Sequence, residues 1–552
     1  MQQFDLHLDH DNWQTTGISK GRFNLKGRVY IEQAPADIEA IASLIESAAT
    51  TEALQSIASR LNGFYAWALH TPDRVIAAVD HIRSRPLFYA IKNARFYLSD
   101  DAEWIRQRVG EHTMDAVARE EFELTGYVTG PDTLFQNIKQ IQAGELVVAT
   151  YEDGGLHVET ARYYKFQHTE PAVVDEIALS GALDSVAVAS IQRLVEYAAG
   201  RQIVVPLSGG YDSRLIVTLL KRLGYENILT FTYGLPGNRE SAYSERVAHA
   251  LGLRWHFVEY SGKLWRRVWE SEPRWVYQRW ASGWNTNAHM QDWLAVGVMK
   301  EQGGLLEPDC IFVPGHSGDF VAGSHIPERA KTDVSATVDD FTSSVFEAHY
   351  SLAPFDIVSH HDSEFWVRRI LDRVTSPTVT NGQGLADAFE EWDWQERQAK
   401  FISNSMRAYE FHGFDWWMPL WDVEFLRFWQ GVPLELRKGR LWYLEYVKRE
   451  YRANAKSGPH ENLENAAKRS PRIIRTMKKI LRRHAGPIYR LVWLLYRYRQ
   501  YSRSPVNPMY RYGRRVAIGF LSKGYAVNGI DANVFLKSAA NSTAEETNVS
   551  QF

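Results

Sequence analysis

Ile203-Val204-Val205-Pro206-Leu207-Ser208-Gly209-Gly210-Tyr211-Asp212-Ser213-Arg214 is the stretch whose reading decides the fold. Ile203 to Val205 is a β-branched run and predicts a buried strand. Two glycines then turn the chain. From Asp212 onward Leu215, Ile216, Leu219, Leu220 and Leu223 follow helical spacing, with Gly224 as the stop. A strand, a glycine turn and a helix N-terminus gather backbone N–H groups around an anion-sized hollow, where the helix dipole favours negative charge. Ser208 and Ser213 add hydroxyl donors. Asp212 would repel a bare phosphate, so it makes sense as a ligand of Mg²⁺ carried by that phosphate. No Gly-Lys-Ser/Thr follows, which excludes the commonest nucleotide loop.

Around this stretch, strands alternate with helices. Ile228 to Thr232 predicts a second parallel strand, Glu240 to Leu251 a helix, Trp255 to Tyr260 a strand, and Asp309 to Pro314 another. That order gives a doubly wound parallel sheet, with ligands at the C-terminal ends of its strands. Upstream, Phe23 to Tyr30 predicts strands and Asp37 to Leu61 a helix capped by Asp37. From Leu61 to Tyr89 alternating apolar residues, broken by Asn62-Gly63 and Pro72-Asp73 turns, predict antiparallel sheet. A β pattern returns from Gly126 to about Phe166. A polar link, His168 to Glu176, precedes a helix over about 177–199, and the expected division is 1–170, 176–455 and a tail 456–552.

The bounds from composition agree. A chain of 552 residues with 45% hydrophobic content holds two or three domains with ample core. Its 19 Trp and 27 Tyr suit either stacking surfaces for sugars and nucleotides or a large aromatic core. Cys310 is the only cysteine, which excludes intrachain disulfides and multi-cysteine zinc sites and points to a reducing, cytoplasmic setting. Neither a secretory signal nor a membrane-spanning apolar run is evident. Between Glu464 and Asp531 there is no acidic residue, against 16 Lys and Arg; the rest of the chain carries 47 basic and 66 acidic groups. Ile473, Met477, Ile480 and Leu481 follow helical spacing among those basic residues, and Ile488 to Tyr501 adds Trp493 and four tyrosines. Packing on the acidic body and docking on the anionic inner face of a membrane both fit this tail. Nucleic acid is not favoured, because the acidic body would repel phosphates.

The order Ser208-Gly209-Gly210-x-Asp212-Ser213 resembles the pyrophosphate loop of the ATP-pyrophosphatase superfamily. Leu61-Asn62-Gly63-Phe64-Tyr65-Ala66, Asp80 ahead of Arg85-Pro86-Leu87-Phe88-Tyr89, and Gly130-Pro131-x-Thr133-Leu134-Phe135 resemble the glutaminase domain of asparagine synthetase. Gly315-His316-Ser317-Gly318-Asp319-Phe320-x-x-Gly323 resembles that family's second signature, with His316 and Phe320 in place of its two glutamates. Arg407, Glu410 and Met418-Pro419-Leu420-Trp421-Asp422 resemble its helical segment. The resemblance implies an α/β protein: an N-terminal-nucleophile antiparallel sandwich, then a doubly wound ATP-pyrophosphatase domain with a helical C-terminal part. It implies ATP and Mg²⁺ as cofactors, with Leu207, Ser208, Gly209, Gly210, Asp212, Ser213, Thr232, Tyr233, Gly234 and Gly315 around the nucleotide. Asp212 and Asp319 would share the metal. His316 would be the acid–base group, an imidazole titrating near neutral pH. His289, Gln291, Asp292 and Arg407 are candidates for the substrate, and Lys456 and Lys468 for an acyl-phosphate lysine.

The family's glutaminase uses a cysteine at the chain start, where Met1 is followed here by Gln2. That leaves the expectation of an ATP-dependent, AMP-forming amide ligase fed by ammonia, an amine or a separate glutaminase. The carboxylate is that of a small molecule or a sugar. The His316 to Phe320 pattern with Ser213-Arg214 resembles relatives tied to surface-polysaccharide synthesis, which implies a sugar uronic acid. Aspartate, internal lactam closure and a non-catalytic scaffold are the alternatives.

Overall fold

The computed structural model describes residues 3–8, 13–31, 33–169, 175–332, 335–374, 378–456, 494–499, 501, 512 and 514–549. Its first part is two sheets between helical layers, antiparallel throughout except where β1 runs parallel to β8. In chain order the strands are β1 (Phe4–His7), β2 (Gln14–Ile18), β3 (Gly21–Ile31), β4 (Ala34–Pro35), β5 (Leu61–His70) and β6 (Arg74–Val79). They continue with β7 (Phe88–Lys92), β8 (Arg95–Ser99), β9 (Ile138–Gln140), β10 (Glu145–Glu152) and β11 (Gly155–Arg162). One sheet runs β1-β8-β7-β9; the other runs β11-β10-β6-β5-β3-β2, with β4 on β3. Alternation along β5 explains the layering. Ala66 and Ala68 face the second sheet with Ala77, Val147 and Phe96, while Tyr65, Trp67 and Leu69 face the helices with Ile41, Ile45 and Leu54.

Two expectations are corrected here. Asn62-Gly63 is not a turn: it lies inside β5, opposite Val29 and Tyr30, and Gly63 is needed because a Cβ there would stand 2.2 Å from the Arg28 carbonyl oxygen. The stretch from Asp37 to Leu61 is two helices, Ile38–Glu46 and Thr51–Ser59, because Thr50 starts a second one by accepting from Ala53 N–H.

The second part is a five-stranded parallel sheet of β12 (Ile203–Pro206), β13 (Ile228–Gly234), β14 (Arg254–Glu259), β15 (Ile311–Phe312) and β16 (Asp415–Trp416), in the order β14-β13-β12-β15-β16. The chain leaves central β12 for β13 on one side and returns to β15 on the other, so the switch point lies at the C-terminal end of β12. The strand read over Asp309 to Pro314 keeps only Ile311 and Phe312, where Val204 and Trp416 pair with it. The helix Glu176–Ala198 is long and apolar enough to cross a bilayer by length and composition, contrary to the reading above. It instead packs Leu183, Ala187, Ile191 and Leu194 into the core. The tryptophans are core as well, ten of them standing among the largest fully buried side chains.

Buried ions tie the second part together and join it to the first. Arg193 donates to Asp422 at 2.6 and 2.7 Å and to Glu424 at 2.9 Å. Asn62 donates to Asp422 at 3.1 Å and accepts from Val423 N–H. Glu121, fully buried, accepts from Thr129, Tyr350 and Arg369. The C-terminal helix Val527–Val549 lies on the helix Ala116–Thr125: Phe535 stacks on Phe122 and lies near Trp284, while Tyr525 and Asn533 donate to Glu123. Leu494, Tyr498 and Tyr501 also pack on the core, so these tail aromatics are not free for a membrane. The amphipathic stretch Ile473 to Leu481 lies outside the described residues.

Asp422→Ala should lower the urea midpoint by the equivalent of about 3–5 kcal/mol, because it leaves Arg193 buried and unpaired. A change below about 1 kcal/mol by circular dichroism would mean that this ion pair does not hold the helix Glu176–Ala198 to the segment around Asp422.

Candidate active site

The hollow predicted from the sequence forms where β12 ends. The helix Asp212–Arg222 starts there, and its N-cap residue Tyr211 makes no side-chain cap bond, leaving first-turn N–H groups open. Ser208 N–H donates to Ser213 Oγ at 3.3 Å and Gly210 N–H to Ser208 Oγ at 3.1 Å, which shapes the loop. Arg214 braces it from behind, donating to the Gly209 carbonyl at 3.2 Å and lying over Tyr211 and Tyr451. The second signature closes the hollow. A Cβ on Gly315 would stand 2.6 Å from Ser213 nitrogen, and one on Gly318 would stand 2.8 Å from both Asp212 Oδ1 and Tyr443 Oη. Only glycine permits this approach.

Asp212 and Asp319 are thereby brought within electrostatic reach of each other. Burial, then the charge of Asp319, pushes the Asp212 carboxyl up to about 7, although Arg440 and Tyr443 favour its charged form. Tyr443 donates to Asp212 at 2.9 Å, and Arg440 Nη1 lies 4.0 Å from it. Burial also opposes charge on Asp319, but the hydrogen bond and charge of His325 outweigh it, and the carboxyl is held at about 2. His325 is itself hydrogen bonded to Asp393; burial works against its charge, and the two carboxylates still lift it to about 9. Two carboxylates that repel each other beside open N–H groups form a donor set that a divalent cation bridging to phosphate would satisfy. Asp212, Asp319, Ser208 and Ser213 are the groups that could hold it.

Leu207 is buried, so only its backbone reaches the strand end, where its N–H donates to Phe231. Thr232, Tyr233 and Gly234 end β13 beside it, Gly234 at φ 141°. Tyr233 Oη donates to Asp292 at 2.6 Å, and Tyr409 donates to the other oxygen. Asp292 therefore has both oxygens engaged by neutral hydroxyls. His289 and His316 stand with ring centroids 6.3 Å apart, and His289 Nδ1 and His316 Nε2 are buried without a protein partner. Gln291 opens the helix Gln291–Glu301, and its carbonyl accepts from Tyr260.

Three readings change. His316 does not titrate near neutrality: burial, then His289, pushes it down to about 4, so it is a neutral imidazole at pH 7. Arg407 is engaged elsewhere, donating to Glu410 at 2.6 Å and lying 4.1 Å over Trp280. Lys456 sits beside Ala250 and Gly252, at the N-terminal end of β14, and Lys468 is outside the described residues. The cation beside Asp212 is Arg440 instead. The motif reading passed over it, yet Arg440 and Tyr443 are spaced i, i+3 at the start of the helix Leu441–Asn454, which puts both on one face. His325 was missed because its partner Asp393 is 68 residues away. One other cluster, His168, Asp387 and Glu390, has metal-ligand spacing. Arg437 already pairs with Glu390 there, which makes it an ion cluster.

The family model for asparagine synthase matches residues 195–450, and that for a glutamine amidotransferase domain matches residues 22–164. No curated protein matches the chain. Among solved structures, a glutamine phosphoribosylpyrophosphate amidotransferase from B. subtilis, complexed with ADP and GMP, is similar at 14% identity and a TM-score of 0.19, covering 54% of this chain and 62% of its own. An NH3-dependent NAD synthetase from Campylobacter jejuni, in complex with nitrate, is similar at 18% identity and a TM-score of 0.18, covering 27% and 61%. This chain spans less than two thirds of either.

Because the Asp212 carboxyl is pushed up, its effect on folding favours low pH and is lost as pH rises through about 7. In protein freed of metal and nucleotide, Asp212→Asn should therefore stabilise at pH 8 by about 1–3 kcal/mol and have little effect near pH 4. Thermal melts at the two pH values measure it, and a variant less stable than wild type at pH 8 contradicts the repulsion.

Proposed function

We propose that this chain, which belongs to the asparagine synthetase family, is an ATP-dependent carbon–nitrogen ligase that amidates a carboxylate with release of AMP and pyrophosphate. The observation that carries the reading is the pair Asp212 and Asp319, held together by the Gly315 and Gly318 contacts beside the open helix start. The pyrophosphate of ATP lies in the Ser208 to Ser213 loop, with adenine and ribose along Leu207 and Thr232 to Gly234. Asp212 and Asp319 would hold Mg²⁺, whose charge would offset that of the leaving pyrophosphate. A substrate carboxylate oxygen attacks the α-phosphorus, and pyrophosphate departs. Ammonia or an amine then attacks the acyl carbon, AMP departs with the bonding pair, and the proton is released to water, because His316, held at about 4, is a weak base.

The matched glutamine amidotransferase domain favours glutamine as the ultimate nitrogen source. Cys310, the only cysteine in the sequence, is buried next to β15, and burial pushes its thiol up to about 12. It is no nucleophile, so nitrogen reaches this site as ammonia or an amine.

The substrate we favour is a sugar uronic acid over aspartate. An amino-acid substrate brings an ammonium that needs a carboxylate, yet both oxygens of Asp292 are engaged, and neutral imidazoles stand at His289 and His316. Imidazoles without partners suit hydroxyl groups. A role in surface-polysaccharide synthesis in the cytoplasm is consistent with that substrate. Exposed Leu495 and Tyr496, beside Arg497 and Arg499, favour docking of the basic tail on an anionic membrane surface.

With Mg·ATP and ammonium, the protein should release pyrophosphate on addition of galacturonate, glucuronate or a nucleotide-linked uronic acid, and faster than with aspartate. Asp212→Asn should abolish that release, and glutamine should not replace ammonium. Faster turnover of aspartate overturns the sugar reading, and full activity of Asp212→Asn overturns the site.

The protein should sediment with anionic vesicles at low salt and be released as salt screens the charge. Equal recovery with neutral vesicles sets the membrane reading aside.

A further inference from the structure

We propose that Arg397 receives the carboxylate of the acyl substrate, a specificity residue for the ligase reading on which this assignment rests. Few of the cations around the two signature loops are uncommitted. Arg407 is paired with Glu410 and buried against Trp280. Arg214 braces the pyrophosphate loop. Arg83 also has Nε and Nη2 without a partner, but it is 3% exposed and lies against Phe88 in the first part of the chain. Arg440 belongs to the Asp212 side.

Arg397 differs from all of these. It lies in the π-helical stretch Trp394–Ile402, which continues the helix Gly382–Asp393. Wide turns of this kind recur at functional sites. The next residue, Gln398, accepts from Ser317 of the second signature at 2.9 Å, fixing this stretch against the site. Four residues before Arg397, on the same face, Asp393 holds His325, whose other nitrogen is 3.7 Å from Asp319. Arg397 is half-buried, and among the described residues no hydrogen bond or ion pair engages its guanidinium.

Its electrostatic neighbours place it opposite Arg440. Both act on Asp319. Arg440 otherwise acts on Asp212 and Tyr443, whereas Arg397 acts on His325, Asp393, His349 and Tyr127. Asp319 thus has one arginine on the Asp212 side and one on the side of His325 and Asp393, where Gln398 meets Ser317. A planar guanidinium offers two parallel N–H groups to a carboxylate. Held there, the carboxylate would lie beside Asp319 and Ser317.

The test uses Arg397→Met, Arg397→Lys and Arg440→Met in the full chain, with pyrophosphate release measured on galacturonate or whichever carboxylate of the panel the wild type turns over fastest. Arg397→Met should raise KM for that carboxylate by about 30- to 100-fold, as expected for a lost charged hydrogen bond, with kcat and the KM for Mg·ATP within about threefold. Arg397→Lys should recover part of the loss, and Arg440→Met should instead weaken Mg·ATP. A carboxylate KM within threefold of wild type in Arg397→Met, or an equal rise in the KM for ATP, overturns the assignment while leaving the ligase reading standing. A wild type silent on every carboxylate overturns the ligase reading, and this assignment with it.

Discussion

Two carboxylates of like charge, forced together in a partly dry hollow, are the constraint on which the remaining architecture depends. In water Asp212 and Asp319 would separate. Here Gly315 lies against the Ser213 backbone and Gly318 against Asp212, and no side chain at either position would leave room. The repulsion is offset from outside: Arg440 and Tyr443 attend Asp212, and His325, anchored by Asp393, attends Asp319. Arg440 and Tyr443 come from the start of the helix Leu441–Asn454, His325 from a turn and Asp393 from the end of the helix Gly382–Asp393, so the hollow is a meeting place of elements and not a property of one loop. A site that stores electrostatic stress in this way is unstable alone and settled when a cation and a polyanion arrive together.

The fold was legible because its deciding signals are local. A β-branched run, a glycine turn and a leucine spacing identify β12 and its helix without knowledge of the remainder, and the parallel sheet follows from repetition. Local signals failed where tertiary contacts act. Asn62-Gly63 carries the composition of a turn, yet the glycine is there because β3 crosses closely behind it. Aromatic richness reads equally as a ligand platform and as a core, and most of the tryptophans are core.

At the site, the loop acids were readable because their motif is contiguous. Their attendants were not. His325 and Asp393, or Asp212 and Tyr443, are partners across 68 and 231 residues. Charge state was equally out of reach: a histidine in a sequence suggests a group that titrates near neutrality, but burial beside a second histidine makes His316 a plain neutral donor and acceptor. Arg407 shows the converse. An arginine in a motif suggested a ligand, and packing against Trp280 and Glu410 makes it a strut.

The C-terminal helix bears on how the chain is made. Phe122 and Glu123 of the first part meet Phe535, Tyr525 and Asn533, the bond from Tyr525 to Glu123 spanning 402 residues. At translation rates of roughly 5–20 residues per second, about 20–80 s separate the emergence of these two partners from the ribosome. For that interval the outer helix of the first sandwich waits with an aromatic ring and a carboxylate uncovered. The sandwich is finished last, although it is synthesised first. A chain stopped before Tyr525 lacks all three partners of that face.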